Sequence, residues 1–307
     1  MTDITRINYY NILAMLLSAA LALFIPFELV LLSYAILGPL HYLTEISWLN
    51  TRQFFTLKKY DYLLIAGVVI VSVVFKLPIA NLVYYTFGLS FILLVINKTL
   101  YRILAFLLLI AMGYFLLTHN ILRTIFGLYI PTLIHVYIFT GAFLLLGALR
   151  AKGISGYLTF ITFLVCPLLL SVLFTNIKSS PTQWAINGYG SFAHINTTTL
   201  RNQSINVYTN TASIILTRVI AFAYTYHYIN WFSKTKVINW HRVTKVNAFM
   251  IVLVWIASVA LYFYNYRLGI KWLFILSLAH VILEFPLNHR SFINIGKQLR
   301  QRLSVTK

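Results

Sequence analysis

Apolar runs of roughly 17 to 25 residues recur from one end of the chain to the other, each long enough for a helix to cross a hydrocarbon core of about 30 Å. Inside such a core the backbone has no water to bond with, so only helices or a closed barrel are stable. The runs are continuous and lack the period-two alternation of barrel strands, which predicts an all-α, polytopic transmembrane bundle forming one integral-membrane domain over residues 1–307. Composition agrees, with 60% of residues hydrophobic, 9% charged and a mean hydropathy of +0.83, far from that of a soluble globular chain.

Hydropathy places about ten spans, near 7–25, 27–49, 61–76, 80–97, 100–118, 123–149, 155–175, 210–232, 246–266 and 270–288. Ala20-Leu21-Ala22 has the small-residue look of a signal cleavage site. A retained span is nevertheless expected, because "MTDITR" is weakly basic and the next apolar run follows at once.

The net charge of +19 raises the question of nucleic acid. Its distribution along the chain argues for topology instead. With the N-terminus inside, the inner segments hold Arg6, Arg52, Lys58, Lys59, Lys98, Arg102, Arg150, Lys152, Lys234, Lys236, Arg242, Lys245, Arg290, Lys297, Arg300, Arg302 and Lys307. The outer segments hold only Lys76, Arg123, Lys178, Arg201, Arg267 and Lys271. The positive-inside rule then predicts an even number of spans, both termini cytoplasmic, in a cell inner membrane. Membrane lipids, not nucleic acid, are the partners this pattern implies. A single cysteine, Cys166, excludes an intrachain disulfide, an iron-sulfur cluster and a multi-cysteine zinc site.

Connections are short except for residues 176–209, a long polar outer loop rich in Asn, Thr and Ser, which could be a lid or a solvated loop. Asn196 and Asn202 lie in sequons that matter only in a secretory pathway with glycosylation. No internal repeat and no pair of interrupted spans of the transporter type is evident.

Only five acidic residues occur: Asp3, Glu28, Glu45, Asp61 and Glu284. Asp3 is terminal, and Glu28 and Asp61 fall at membrane edges. Glu45 and Glu284 sit within spans, each following a histidine by four residues: His41 to Glu45 and His280 to Glu284. Four residues advance a helix by about one turn, so each pair lies on one face. Two further histidines, His135 and His227, fall within spans. All four of these spans run from outside to inside, so depth can be counted to the next inner basic residue. The counts place His41, His227 and His280 in one layer and His135 farther out.

An ionisable group in the bilayer is costly unless it pairs, binds something or faces water, which makes it a functional candidate. Histidine is the commonest metal ligand, and a ligand imidazole commonly donates its other N–H to a carboxylate. His41, His135, His227 and His280 therefore form a coherent set of nitrogen ligands, with Glu45 and Glu284 orienting them or binding metal directly as in carboxylate di-iron bundles. The bland alternative is a set of helix-to-helix hydrogen bonds. His119, His194, His241 and His289 fall in loops or at edges, with His241 and His289 as reserve ligands on the inner side. Arg218 lies within a span, half a turn out of phase with His227, and is expected to form a structural pair with Glu28. The abundant aromatics, 21 Tyr and 23 Phe, suit interfacial belts or a pocket for a long conjugated or isoprenoid substrate.

The stretch "GPLHYLTE" (38–45) resembles the Gly-x-Pro-His-Gly-x-x-Asp motif of the Brp/Blh family, integral-membrane enzymes similar to β-carotene 15,15'-dioxygenase. The match covers Gly38 and Pro39 approximately, His41, and Glu45 in place of the aspartate. The proline is shifted by one place and Tyr42 replaces the glycine after the histidine. The resemblance implies non-haem ferrous iron (Fe2+) held by histidines from several spans, with an apolar lipid-phase substrate and O2 as partners. The implied reaction cleaves a carotenoid or similar polyene to an aldehyde such as retinal. Three other readings stay open: a haem electron-transfer protein, a proton-coupled transporter and a structural membrane protein. A desaturase-type enzyme needs dense histidine clusters that this chain lacks.

Overall fold

The computed structural model describes residues 3–234 and 243–305. His241, Lys236, Arg242 and Lys307 lie outside the described residues. No strand occurs among the described residues, so the all-α expectation holds. Among the described residues, seven helices are long and apolar enough to cross a membrane: Ile4–Phe24, Pro26–Thr51, Thr99–Leu116, Asn120–Ala151, Ile154–Val172, Lys245–Tyr264 and Tyr266–Ser304. Asp61–Val74 and Ile79–Val95 are shorter apolar helices. Thr211–Ser233 is long enough, but Thr, Tyr, His and Arg lower its hydropathy, and it is buried along most of its length. The chain is a multi-pass helical membrane protein.

Local chemistry sets the helix boundaries. Pro26 opens a new helix directly after Ile25, at a position where its missing N–H costs nothing. The side chains of Thr182, Asn210 and Thr244 cap the helices that follow them by accepting backbone N–H groups of Ala185, Ser213 and Asn247. Asn265 separates Lys245–Tyr264 from the 40-residue helix Tyr266–Val305. Two segments widen into π-helix, Ser33–Leu37 and Ile125–Phe139, the second around Pro131. Proline lacks the donor and clashes with the preceding turn of an α-helix, and a wider turn relieves both.

Two compact units are formed, one by 1–43 and 147–276 and the other by 44–146 and 277–307. In the first, Thr211–Ser233 is the central helix, packed by Asp3–Phe24, Pro26–Leu32 and Ile154–Val172. Polar side chains tie these helices together. Asn11 donates to Ser233 Oγ at 3.0 Å and accepts from Tyr226 Oη at 3.1 Å, Asn8 donates to Ser155 Oγ at 3.0 Å, and Ser33 Oγ meets Thr225 Oγ1 at 2.7 Å. Such bonds are how buried helices in an apolar solvent recognise one another. In the same unit, residues 176–209 carry two short helices, Gln183–Tyr189 and Ala193–Thr199. Asn196 is fully buried, bonding Tyr189 Oη, Ser213 Oγ and Thr217 Oγ1, which closes its sequon to a glycan.

The second unit has an apolar core that includes Ile65, Val83, Leu93, Ile130, Phe139, Val281 and Phe285. Beside it lies a buried ion pair, Arg102 Nη1 to Asp61 Oδ1 at 2.7 Å, with Arg102 Nη2 at 3.2 Å from Asp61 Oδ2. Arg102 also donates to the carbonyls of Ile96 and Leu93, and Asp61 accepts the Lys58 N–H. Asp61, expected at a membrane edge, is 3% exposed. Its hidden location makes it a packing group with every oxygen matched.

Candidate functional site

In the first unit, the helix Gly38–Thr51 carries His41 and Thr211–Ser233 carries His227. Both are buried, and their Nε2 atoms lie 3.1 Å apart with ring centroids at 4.7 Å. The next residue on each helix repeats the contact, Tyr42 Oη meeting Tyr228 Oη at 2.6 Å. Tyr42, Tyr228 and Trp231 ring His41 at centroid distances of 5.7, 5.2 and 5.5 Å. Gly38, one turn before Tyr42, makes room for this ring, since a Cβ there would sit 3.0 Å from Tyr42 Oη.

In the second unit, His280 on Tyr266–Val305 faces His135 on the π-helix Ile125–Phe139. Their Nε2 atoms are again 3.1 Å apart, with centroids at 4.9 Å and both rings buried. Glu284 places Oε2 3.2 Å from His135 Nδ1. Glu45 and Glu284 are both 1% exposed.

Each unit therefore holds one buried histidine pair, built from the four residues singled out in the sequence. Glu284 follows His280 by one turn, and its Oε2 also lies beside His135 on another helix. His135, counted as lying farther out, meets His280 at Nε2.

The pair expected between Glu28 and Arg218 does not form, because each engages a different part of one segment. Arg218 donates to the carbonyl oxygens of Phe174 and Ile177 and to Ser179 Oγ, whereas Glu28 Oε1 accepts the Thr182 N–H at 2.7 Å. The segment after helix Ile154–Val172 presents carbonyls outside any helix that a guanidinium can cap. That demand is invisible in the sequence. His289, a reserve ligand, bonds the Phe87 carbonyl at 2.9 Å and packs on Phe87 and Phe91. His194 bonds the Ser191 carbonyl, and His119 precedes the short helix Asn120–Thr124.

The donor set fits a transition metal. Two imidazole nitrogens bound to one ion at about 2.1 Å and near a right angle are roughly 3.0 Å apart, close to the 3.1 Å found in both pairs. A carboxylate on the far nitrogen, as at His135, is the usual means of fixing a ligand's tautomer.

The fold and the buried histidine pairs define a polytopic helical membrane protein with a candidate metal-binding core. No protein-family model, curated protein or solved structure matches the chain.

Proposed function

We propose that the chain is a membrane-embedded non-haem iron oxygenase that cleaves a carotenoid or similar polyene or isoprenoid lipid to an aldehyde such as retinal. The observation that carries this reading is the pairing of buried imidazoles, His41 with His227 and His135 with His280, each at a nitrogen separation suited to adjacent ligands of one ion. Ferrous iron held by either pair would supply the capacity to bind and activate O2. Glu284 Oε2 stands 3.2 Å from the far nitrogen of His135, placed to orient that ring. The aromatic ring of Tyr42, Tyr228 and Trp231 around His41 excludes water and offers flat surfaces to a conjugated chain. The motif "GPLHYLTE", similar to that of the Brp/Blh family, favours the same chemistry.

The haem alternative fits less well. Axial imidazoles on opposite sides of a haem iron put their nitrogens about 4 Å apart, more than the 3.1 Å seen here. The proposal includes ten spans, both ends of this chain on the cytoplasmic side and residence in a cell inner membrane, supported by the distribution of Lys and Arg.

The test is the metal content of detergent-purified protein loaded anaerobically with Fe2+, wild type beside His41→Ala and His280→Ala. Iron retained by the wild type and lost from both variants supports the reading, and β-carotene in mixed micelles is then assayed for retinal. A folded wild type that retains no iron sinks it.

A further inference from the structure

At one end of the second unit, the basic residues and the aromatic rings have been brought together. Arg52 lies over Trp48 at 6.0 Å, Lys59 over Tyr60 at 5.5 Å, Lys98 over Tyr101 at 5.8 Å and Arg290 over Phe55 at 5.5 Å. These contacts lie on neighbouring segments. Leu57 N bonds the Leu93 carbonyl and Lys58 Nζ bonds Thr99 Oγ1 at 3.3 Å, which joins the turn after Gly38–Thr51 to the start of Thr99–Leu116. Arg290 over Phe55 joins the long C-terminal helix to the same turn.

Charge at this end is uncompensated. Arg52, Lys58, Lys59, Lys98 and Arg290 are exposed, while the three carboxylates of this unit, Glu45, Asp61 and Glu284, are all buried. Arg102 neutralises Asp61, and Glu45 and Glu284 are sealed in the interior. The helix continues beyond Arg290 with Lys297 and Arg300 exposed among Phe292, Ile293, Leu299 and Leu303, which are also exposed. Cations interleaved with exposed apolar and aromatic side chains suit the boundary between headgroups and acyl chains, where the rings sit at headgroup level and ammonium or guanidinium groups meet phosphate. A cation over a ring face is held in place with its N–H donors still available.

We propose that this end of the second unit is a docking surface for anionic phospholipid headgroups, with Arg52, Lys58, Lys59, Lys98 and Arg290 as the phosphate-contacting groups. The partner is the bilayer's own acidic lipid. Its phosphates complement a surface that offers cations and no exposed carboxylate, and its acyl chains continue along the apolar helix faces. The proposal is independent of the metal reading.

The test uses the full-length chain in mixed micelles containing equal phosphatidylglycerol and phosphatidylcholine, with retained lipid counted by native mass spectrometry. The wild type is expected to retain phosphatidylglycerol at least five-fold over phosphatidylcholine. A triple variant, Arg52→Gln with Lys59→Gln and Lys98→Gln, should lose that preference, and Lys76→Gln with Arg123→Gln, away from the cluster, should keep it. Should the triple variant fold poorly, the wild type alone decides the matter. Raising ionic strength from about 0.1 M to about 1 M shortens the screening length from about 10 Å to about 3 Å and should abolish the preference. Equal retention of the two lipids, a preference unchanged by salt or by the triple variant, or displacement of the lipid by millimolar inorganic phosphate would each overturn the proposal, the last by showing a free-phosphate site.

Discussion

Tyr42 and Tyr228 share a hydroxyl hydrogen bond of 2.6 Å one residue along each helix from His41 and His227, whose Nε2 atoms are 3.1 Å apart. Two adjacent contacts between the same two helices fix both their spacing and their rotation. The hydroxyl pair is thus a clamp on the imidazole pair.

Tyr42→Phe and Tyr228→Phe keep the rings and remove this bond. Each should cost about 1 to 3 kcal/mol, because a buried hydroxyl loses its partner, and the double variant should be less destabilised than the sum of the two singles. Thermal unfolding in detergent reads this coupling. Additive losses would show that the bond does not link the helices.

Glu284→Gln preserves volume and replaces the carboxyl group facing His135 Nδ1 with an amide. If His135 is a ligand, metal affinity should fall about 10- to 100-fold, the usual effect of losing a carboxylate behind a ligand imidazole. Competition with a chelator measures it. An unchanged affinity would remove Glu284 from the site.

Breaking the Asp61–Arg102 pair from one side leaves a buried charge with only neutral partners. Asp61→Asn should destabilise the chain by about 3 to 5 kcal/mol, the range for removing one member of a buried ion pair. The readout is the unfolding temperature. A loss of under 1 kcal/mol would mean that water reaches Arg102.

Arg218 and Glu28 secure the segment 174–182 from two sides without touching one another. Arg218→Leu should therefore expose this segment to limited proteolysis, and reversing both charges, Glu28→Arg with Arg218→Glu, should fail to restore the protein. Recovery in the reversed pair would reinstate a direct ion pair.

Gly269 lies in the first turn of Tyr266–Val305, just past Asn265. A Cβ there would overlap Tyr262 Cα and come 2.8 Å from Tyr262 N, both backbone atoms that cannot swing aside. Gly269→Ala should cost about 1 to 3 kcal/mol through overpacking. Thermal unfolding beside Gly67→Ala, where a Cβ meets nothing within 4 Å, separates the steric effect from the general one.

Long apolar runs, scarce acids and four intramembrane histidines were legible because the bilayer imposes them locally: length, hydropathy and the cost of a buried charge act on one helix at a time. The sequence by itself therefore determined the helical membrane class and singled out His41, His135, His227, His280, Glu45 and Glu284. Tertiary structure alone decided who meets whom. That Glu284 lies beside His135, that Arg218 caps carbonyls after Val172 and that Asp61 finds Arg102 depend on which helices pack together. Helical periodicity fixes the face on which a side chain stands, whereas its partner comes from another helix far away in sequence, and one-dimensional spacing carries no record of that.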